Sequence, residues 1–244
     1  MLKKVKYLLL VLLLSFSGLT AADYEQKLDR SFQLPTGGSI ELANINGEIT
    51  IATTGGTAVG VKAVKSSDEK GEIEKVDVVF EPGKDSLKVY VKYNDKHTRA
   101  KVDFTVSVPE KLARAQFKSV NGKIDGSGKF ADLTLKTVNG RIDFSGSFRN
   151  AALATVNGTI AVSQEPLLSG DLKAETVNGA ITIELNRKSA FDIDGQTING
   201  SIDDGFGLEV ERHLVGKSLH GKVNGGGYKV SVETVNGSID INKI

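Results

Sequence analysis

The sequence predicts an all-β fold: a right-handed parallel β-helix, or β-solenoid, with a β-rich N-terminal cap. Three observations predict it. A short segment, Val-Asn-Gly-x-Ile, recurs through the second half of the 244-residue chain. Around each copy, apolar and polar residues alternate with period two, as half-buried strands do. Gly is frequent, at 27 residues, while Pro is scarce, at 4; the chain has turn residues but neither a collagen nor a Pro-rich linker composition.

The copies run Val120-Asn121-Gly122-Lys123-Ile124, Val138-Asn139-Gly140-Arg141-Ile142 and Val156-Asn157-Gly158-Thr159-Ile160. They continue with Val177-Asn178-Gly179-Ala180-Ile181, Ile198-Asn199-Gly200-Ser201-Ile202 and Val235-Asn236-Gly237-Ser238-Ile239. A degenerate copy, Leu219-His220-Gly221-Lys222-Val223, places His where the others have Asn, and an outlying copy stands early at Ile45-Asn46-Gly47-Glu48-Ile49. From Asn121 the steps between copies are 18, 18, 21, 21, 21 and 16 residues. Such a period is too short for helical repeats and suits a coil of short strands.

Each Asn-Gly marks a sharp turn, since both residues tolerate positive φ. Two assemblies fit. If every Asn-Gly is a hairpin turn, Leu135, Thr137, Ile142 and Phe144 share one face and Val138 falls on the other with Lys136, Arg141 and Asp143. If every Asn-Gly is the corner of a coil, successive copies stack. Val138 and Ile142 then both point inward, with about three short strands to a turn. The stack is favoured because the hairpins would leave a Val, Ile or Leu among polar groups in every copy. In a stack, neighbours about 4.8 Å apart place like residues over like. One inner column would hold Ile124, Ile142, Ile160, Ile181, Ile202, Val223 and Ile239. A second would hold Val120, Val138, Val156, Val177, Ile198, Leu219 and Val235. The turn ladder comprises Asn121, Gly122, Asn139, Gly140, Asn157, Gly158, Asn178, Gly179, Asn199, Gly200, His220, Gly221, Asn236 and Gly237, its Asn amides bonding along the axis. Crossovers between the parallel strands are expected to be right-handed.

Before the repeat, candidate strands are 31–34, 39–42, 48–52, 59–64, 75–80, 86–93 and 102–108, and Pro109 ends the last. Residues 23–117 read as a cap continuous with the 118–244 solenoid, because an open coil end needs protection. Residues 1–22, MLKKVKYLLLVLLLSFSGLTAA, read as an export signal: a basic start, a short apolar run and small residues, with cleavage after Ala22 or Ala21. An uncleaved anchor is the alternative. No later segment is apolar enough to cross a membrane as a helix. Export is expected to place the protein in the periplasm, at the cell surface or outside the cell.

Whole-chain Lys+Arg is 31 against 30 Asp+Glu. Losing Lys3, Lys4 and Lys6 with the signal leaves 28 against 30, a charge of −2, which disfavours nucleic acid as a partner. The absence of Cys excludes disulfides, Cys-bound zinc and thiol catalysis. No nucleophile elbow, phosphate-binding loop or zinc-protease signature occurs, so no catalytic, cofactor or metal residue is assigned. The residue after each inner Ile forms an interrupted row with Asp125, Asp143, Asp203 and Asp240, read as a solvated face, with bridging calcium as the alternative. His213 and His220 read as a loop and a ladder His. Thr137, Asn139 and Arg141, with Thr155, Asn157, Thr176 and Asn178, are expected to form an outward polar row, read as β propensity in Thr and turn geometry in Asn, with contact to a repeating polymer such as a glycan as the alternative.

The chain resembles the bacterial putative adhesin family, a family of unknown function. The resemblance rests on Asn44-Ile45-Asn46-Gly47, on a strand ending Val106-Ser107-Val108-Pro109, and above all on the serial V-N-G-x-I copies. It implies a β-helical fold and an envelope or extracellular setting, and supplies no catalytic residue. The departures are His220 for Asn and the shortened final step. The expected function is that of an exported non-catalytic structural or binding module, its partner a glycan or another envelope protein. The alternatives are a carbohydrate-active enzyme on a β-helix and an envelope-stress accessory protein.

Overall fold

The computed structural model describes residues 24–244; the export-signal reading of residues 1–22 lies outside them. The strands are β1 (Tyr24–Gln33), β2 (Ser39–Ala43), β3 (Ile49–Thr54), β4 (Ala58–Ser67), β5 (Val76–Pro82), β6 (Ser86–Tyr93), β7 (Lys101–Pro109), β8 (Arg114–Lys118), β9 (Ile124–Lys136) and β10 (Ile142–Ala154). They continue as β11 (Ile160–Gln164), β12 (Leu172–Asn178), β13 (Ile181–Leu185), β14 (Phe191–Asn199), β15 (Ile202–Asp204), β16 (Val210–Arg212), β17 (Lys217–Val223), β18 (Tyr228–Asn236) and β19 (Ile239–Lys243). Among the described residues one short helix, Lys70–Ile73, interrupts the series. Every candidate strand before the repeat overlaps an observed one.

Each rung of the coil has a strand in one wall, a corner, and a strand in a second wall; the corner is Asn-Gly in seven rungs, while in one outermost rung, β6–β7, residues 94–100 make the connection. The first wall runs β6, β2, β8, the end of β9, the end of β10, β12, β18 and β14, all parallel. The second runs β7, β3, the starts of β9 and β10, β11, β13, β19 and β15, again parallel. Two strands make a turn, not three: at the corner isolated Asn bridges join the rungs from Asn46 to Asn178, and at the last rungs the first-wall ladders themselves run on to Asn236 and Asn199.

The copies therefore stack, but not in chain order. Asn236 lies beside both Asn178 and Asn199, so the last copy is inserted between the fourth and fifth. The early copy is inserted in the same way, with β2 between β6 and β8, and β3 between β7 and β9. Each terminal coil is thus paired on both sides, and the outermost coils, β6–β7 and β14–β15, are held by chain connections at both their ends. Antiparallel strands flank the outer coils: β5 on β6, β4 on β7, β1 on β4, β17 on β14 and β16 on β17.

The interior column is Ile49, Ile124, Ile142, Ile160, Ile181, Ile239 and Ile202, all buried. Close-packed interiors demand complementary volume, and the neighbouring column shows it: Gly126 sits opposite Phe144, whose ring occupies the space a Cβ would need.

The second expected column is corrected. Ile45, Val120, Val138, Val156, Val177 and Ile198 stand on the outside, 38–49% exposed, and Val235 is half-buried. The inward corner position belongs to the residue before: Thr137, Thr155, Thr176, Thr197 and Thr234 are buried. Each donates its hydroxyl to a corner-glycine carbonyl on the adjoining rung: Thr137 to Gly122 at 3.0 Å, Thr155 to Gly140 at 3.1 Å, and Thr176, Thr234 and Thr197 to Gly158, Gly179 and Gly237 at 3.0 Å. Backbone donors at the corner go to the carbonyls of Ile45, Val120, Val138 and Val156, to the Asn carbonyls and to the residue before Ile, and among the described residues none goes to the carbonyls of Gly122, Gly140 or Gly158. The Thr hydroxyl therefore supplies a donor that Val cannot. In the early copy, buried Asn44 plays this part, donating to Val102 and Gly47 carbonyls at 2.8 and 3.2 Å.

The reason for glycine is corrected too. Gly122, Gly140, Gly158, Gly179, Gly200 and Gly237 are not among the positive-φ residues, nor is any ladder Asn. What excludes a side chain is the stacking distance. A Cβ on Gly140 would overlap the carbonyl oxygen of Gly122, one on Gly158 that of Gly140, and one on Gly200 that of Gly237.

His220 and Gly221 are not turn residues. They lie in β17, antiparallel to β14, with His220 opposite Asp194 and Gly221 opposite Ile193. Val223 and Leu219 are buried there, outside the columns assigned to them.

Candidate functional site

The corner turns two columns of side chains to solvent along seven rungs. Six steps of about 4.8 Å give a ridge roughly 29 Å long. Its first column is aliphatic: Ile45, Val120, Val138, Val156, Val177, Val235 and Ile198 in spatial order. The Val-Asn-Gly stretch takes the outside of the bend because Thr on one side and Ile on the other fill the inside.

The second column is amide. The Nδ2 of Asn121 donates to the Oδ1 of Asn46 at 2.9 Å, Asn139 to Asn121 at 2.9 Å, and Asn157 to Asn139 at 2.8 Å. Asn178 donates to Asn157 at 2.9 Å, Asn236 to Asn178 at 2.7 Å, and Asn199 to Asn236 at 2.9 Å. Each interior amide spends one N–H and one lone pair on its neighbours, and retains one of each for a ligand.

Of the expected outward row, Asn139, Asn157 and Asn178 are exposed and contiguous, and Arg141 is exposed beside them on the rim. Thr137, Thr155 and Thr176 are not on this surface, because their hydroxyls are committed inward. The aliphatic column takes their place. Its signal in the sequence was the β-branched residue before Asn in all seven ladder copies, preceded by Thr in five, by Ser119 in one and by Asn44 in the early one.

Beside the amides, charge is concentrated on two rungs. Lys123 pairs with Asp125 at 2.6 Å and reaches Asp143 at 3.8 Å, and Arg141 Nε meets Asp143 at 2.6 Å. Partial burial pushes the Asp143 carboxyl up and neighbouring Asp125 adds to this, while Arg141 and Lys123 oppose it. The two carboxylates are compensated by side-chain cations. Among the described residues, no three His, Cys, Asp or Glu side chains are gathered as a metal ion would require.

At the far end of the ridge, the β16–β17 hairpin stands over Val177, Val235 and Ile198 and closes one side of a groove of about 640 Å³. Its tip carries Leu214, fully exposed, and Val215. His213 and His220 find separate partners: His213 contacts Ser218 at 2.9 Å and Glu211 at 3.8 Å, and His220 contacts Asp194 at 3.2 Å.

Among known proteins, residues 25–242 match the family model described as Toastrack DUF4097. A crystal structure described as a putative cell adhesion protein from Clostridium sporogenes is similar with a TM-score of 0.56 at 14% identity, covering 91% of this chain and 100% of that one. A putative adhesin from Bacteroides fragilis gives a TM-score of 0.44 at 13% identity, over 90% of this chain and 97% of that one. The Clostridium likeness shows a shared fold. No curated protein matches the sequence.

Proposed function

The chain belongs to the Toastrack DUF4097 family, and from that premise we propose that it is an exported, non-catalytic binding module of the cell envelope. Its contact surface is the corner ridge, and its partner is an extended polymer, a glycan or an extended segment of another envelope protein. The observation that carries this reading is the pair of exposed columns. An aliphatic stripe and an amide stripe run side by side for seven rungs, repeating the same two groups at a fixed interval. An extended chain with its own repeat can meet such a surface at many places, each contact weak and the sum strong. Exposed apolar surface of this continuity also marks interaction sites in general.

The same reading takes residues 1–22 as the export signal, residues 23–117 as the cap and residues 118–244 as the solenoid proper, with a right-handed coil. The antiparallel strands β1, β4 and β5 along the first rungs support the cap, and β2, β3, β6, β7 and β8 of the same stretch carry rungs of the coil, which supports its continuity with the solenoid. Among the described residues no helix is long and apolar enough to cross a membrane.

The test is a glycan array probed with the purified mature chain and with the double variant Val138→Asp/Val156→Asp. These side chains are exposed, so the fold is expected to persist while binding falls. Binding indifferent to the substitution removes the ridge from the account. Turnover of a bound polysaccharide overturns the non-catalytic reading. Silence on every glycan, with a protein recovered by cross-linking through the ridge, directs the same surface to a protein partner.

A further inference from the structure

The sequence contains eight Asn-Gly pairs, at Asn46, Asn121, Asn139, Asn157, Asn178, Asn199, Asn224 and Asn236. In such a pair the glycine nitrogen can approach the preceding side-chain carbonyl carbon, because no Cβ obstructs it. Six pairs are protected by the stack. The N–H groups of Gly47, Gly122, Gly140, Gly158, Gly179 and Gly237 donate to the carbonyls of Asn121, Asn139, Asn157, Asn178, Asn236 and Asn199, at 2.9–3.1 Å. A nitrogen so engaged is held against the neighbouring rung and away from its own side chain.

Gly200 is the exception in the ladder. Its rung is the outermost at its end, no Asn carbonyl lies beyond it, and among the described residues its N–H has no acceptor. Gly200 is exposed, as is Asn199. The Asn199 carboxamide is held only through Nδ2, to Asn236 at 2.9 Å. Lys217 places its ammonium on the Gly200 carbonyl at 2.8 Å, a positive charge near the nitrogen that must lose its proton. Asn46, at the other end, is the natural control: the ladder holds its side chain through a single bond, to Asn121, but its glycine N–H is engaged. Asn224 is secured differently. Its Nδ2 donates to the carbonyls of Arg187 at 3.0 Å and Ser189 at 2.8 Å, so both amide hydrogens are fixed.

We propose that Asn199 is a modification site, the one Asn-Gly pair of the fold set to undergo intramolecular deamidation. The Gly200 nitrogen loses its proton to solvent base and bonds to Cγ of Asn199. The Cγ–Nδ2 bond breaks, and Nδ2 leaves as ammonia. Water then adds to either carbonyl of the cyclic imide and opens it to aspartate or isoaspartate. The product carries a new negative charge on the outermost rung and loses the donor to Asn236. In the iso form the backbone gains a methylene at the corner, which loosens β15 and the neighbouring hairpin tip.

The experiment incubates the intact mature protein at mildly alkaline pH, digests it at mildly acidic pH and maps the peptides by mass and by isoaspartate content. Asn199 is expected to convert at least about tenfold faster than Asn46, Asn139, Asn157 or Asn224, equal to a barrier lower by about 1.4 kcal/mol. In concentrated urea the eight sites are expected to draw level. Asn199→Gln, whose longer side chain disfavours the five-membered ring, is expected to abolish the early acidic species seen by isoelectric focusing. Conversion of Asn46 or Asn224 as fast as Asn199 in the folded protein overturns the proposal. So does an unchanged acidic species in the Asn199→Gln protein.

Discussion

Asn178 and Asn236 are 58 residues apart in sequence and adjacent in space, amide to amide at 2.7 Å. That single contact fixes the unusual order of the coil. The chain builds the outer rung, turns back through a hairpin, and lays its last strands into the gap it left. A terminal coil placed at the end of the stack would have one covalent connection and one unpaired edge, the conditions under which solenoid ends fray. Inserted one rung inside, it is paired on both flanks.

Adjacent residues at one corner are expected to respond in opposite ways. Thr155→Val leaves the part-buried Gly140 carbonyl without its donor and costs about 1–3 kcal/mol. Val156→Ser, one residue on, alters only the solvated ridge and stays within about 0.5 kcal/mol. Urea titration of the two variants measures both, and equal effects would contradict the inside–outside assignment.

The glycines of the ladder are expected to tolerate nothing larger. Gly140→Ala drives a methyl into the Gly122 carbonyl, an overpacking that no side-chain rotamer relieves, and costs about 3 kcal/mol or more. Gly55→Ala is the control, because nothing lies within 4 Å of a Cβ there. Thermal unfolding separates them; a Gly140→Ala protein as stable as wild type would contradict the close stacking.

Ile160 lies in the middle of the buried column, between Ile142 and Ile181. Ile160→Ala opens a cavity that neighbours locked in rungs cannot fill, and about 2–5 kcal/mol is expected to be lost. A loss under half a kcal/mol in a denaturant titration would place Ile160 outside the core.

One carboxylate gives a stability signature in acid. Glu72 receives the Lys75 ammonium at 2.6 Å and the Arg99 backbone N–H at 2.9 Å. The Lys75 hydrogen bond, followed by Thr98 and Arg99, draws its pKa down from 4.5 to about 2. A carboxylate depressed in the folded state contributes stability that is present above its unfolded pKa and disappears as pH falls through its folded one. The contribution of Glu72 is therefore lost between about 4.5 and about 2. Glu72→Gln is expected to flatten that part of the pH–stability curve, followed by urea midpoints. An identical acid profile in the variant would contradict the ion-pair assignment.

The all-β class, the stacking and the Ile column were legible because they follow from periodicity and from identical residues recurring in parallel register. The orientation of Val138 was not, because parity along a strand does not carry through a five-residue corner. Thr137 and Ile142 are both inside, and the bend turns Val, Asn and Gly outward between them. The role of Thr was hidden for a related reason. Its need to face inward comes from a glycine carbonyl on another rung, which local sequence does not reveal. The stacking order was illegible on different grounds, since Val177 and Ile198 carry the same residue types as Val235 and any of them fits beside another. His220 looked like an Asn substitute only while the copies were assumed to run in sequence order.

The central claim is the rung order itself, and cysteine pairs test it most directly because the protein has no cysteine of its own. Neighbouring rungs bring Cα atoms to about 4.8 Å, inside the range a disulfide spans, while rungs two apart lie near 9.6 Å and beyond it. Val177→Cys with Val235→Cys is expected to cross-link on mild oxidation of the folded protein, as is Val235→Cys with Ile198→Cys, whereas Val177→Cys with Ile198→Cys stays reduced. Ready bridging of the 177–198 pair, with none from 177 to 235, would show that the copies stack in chain order and contradict the account.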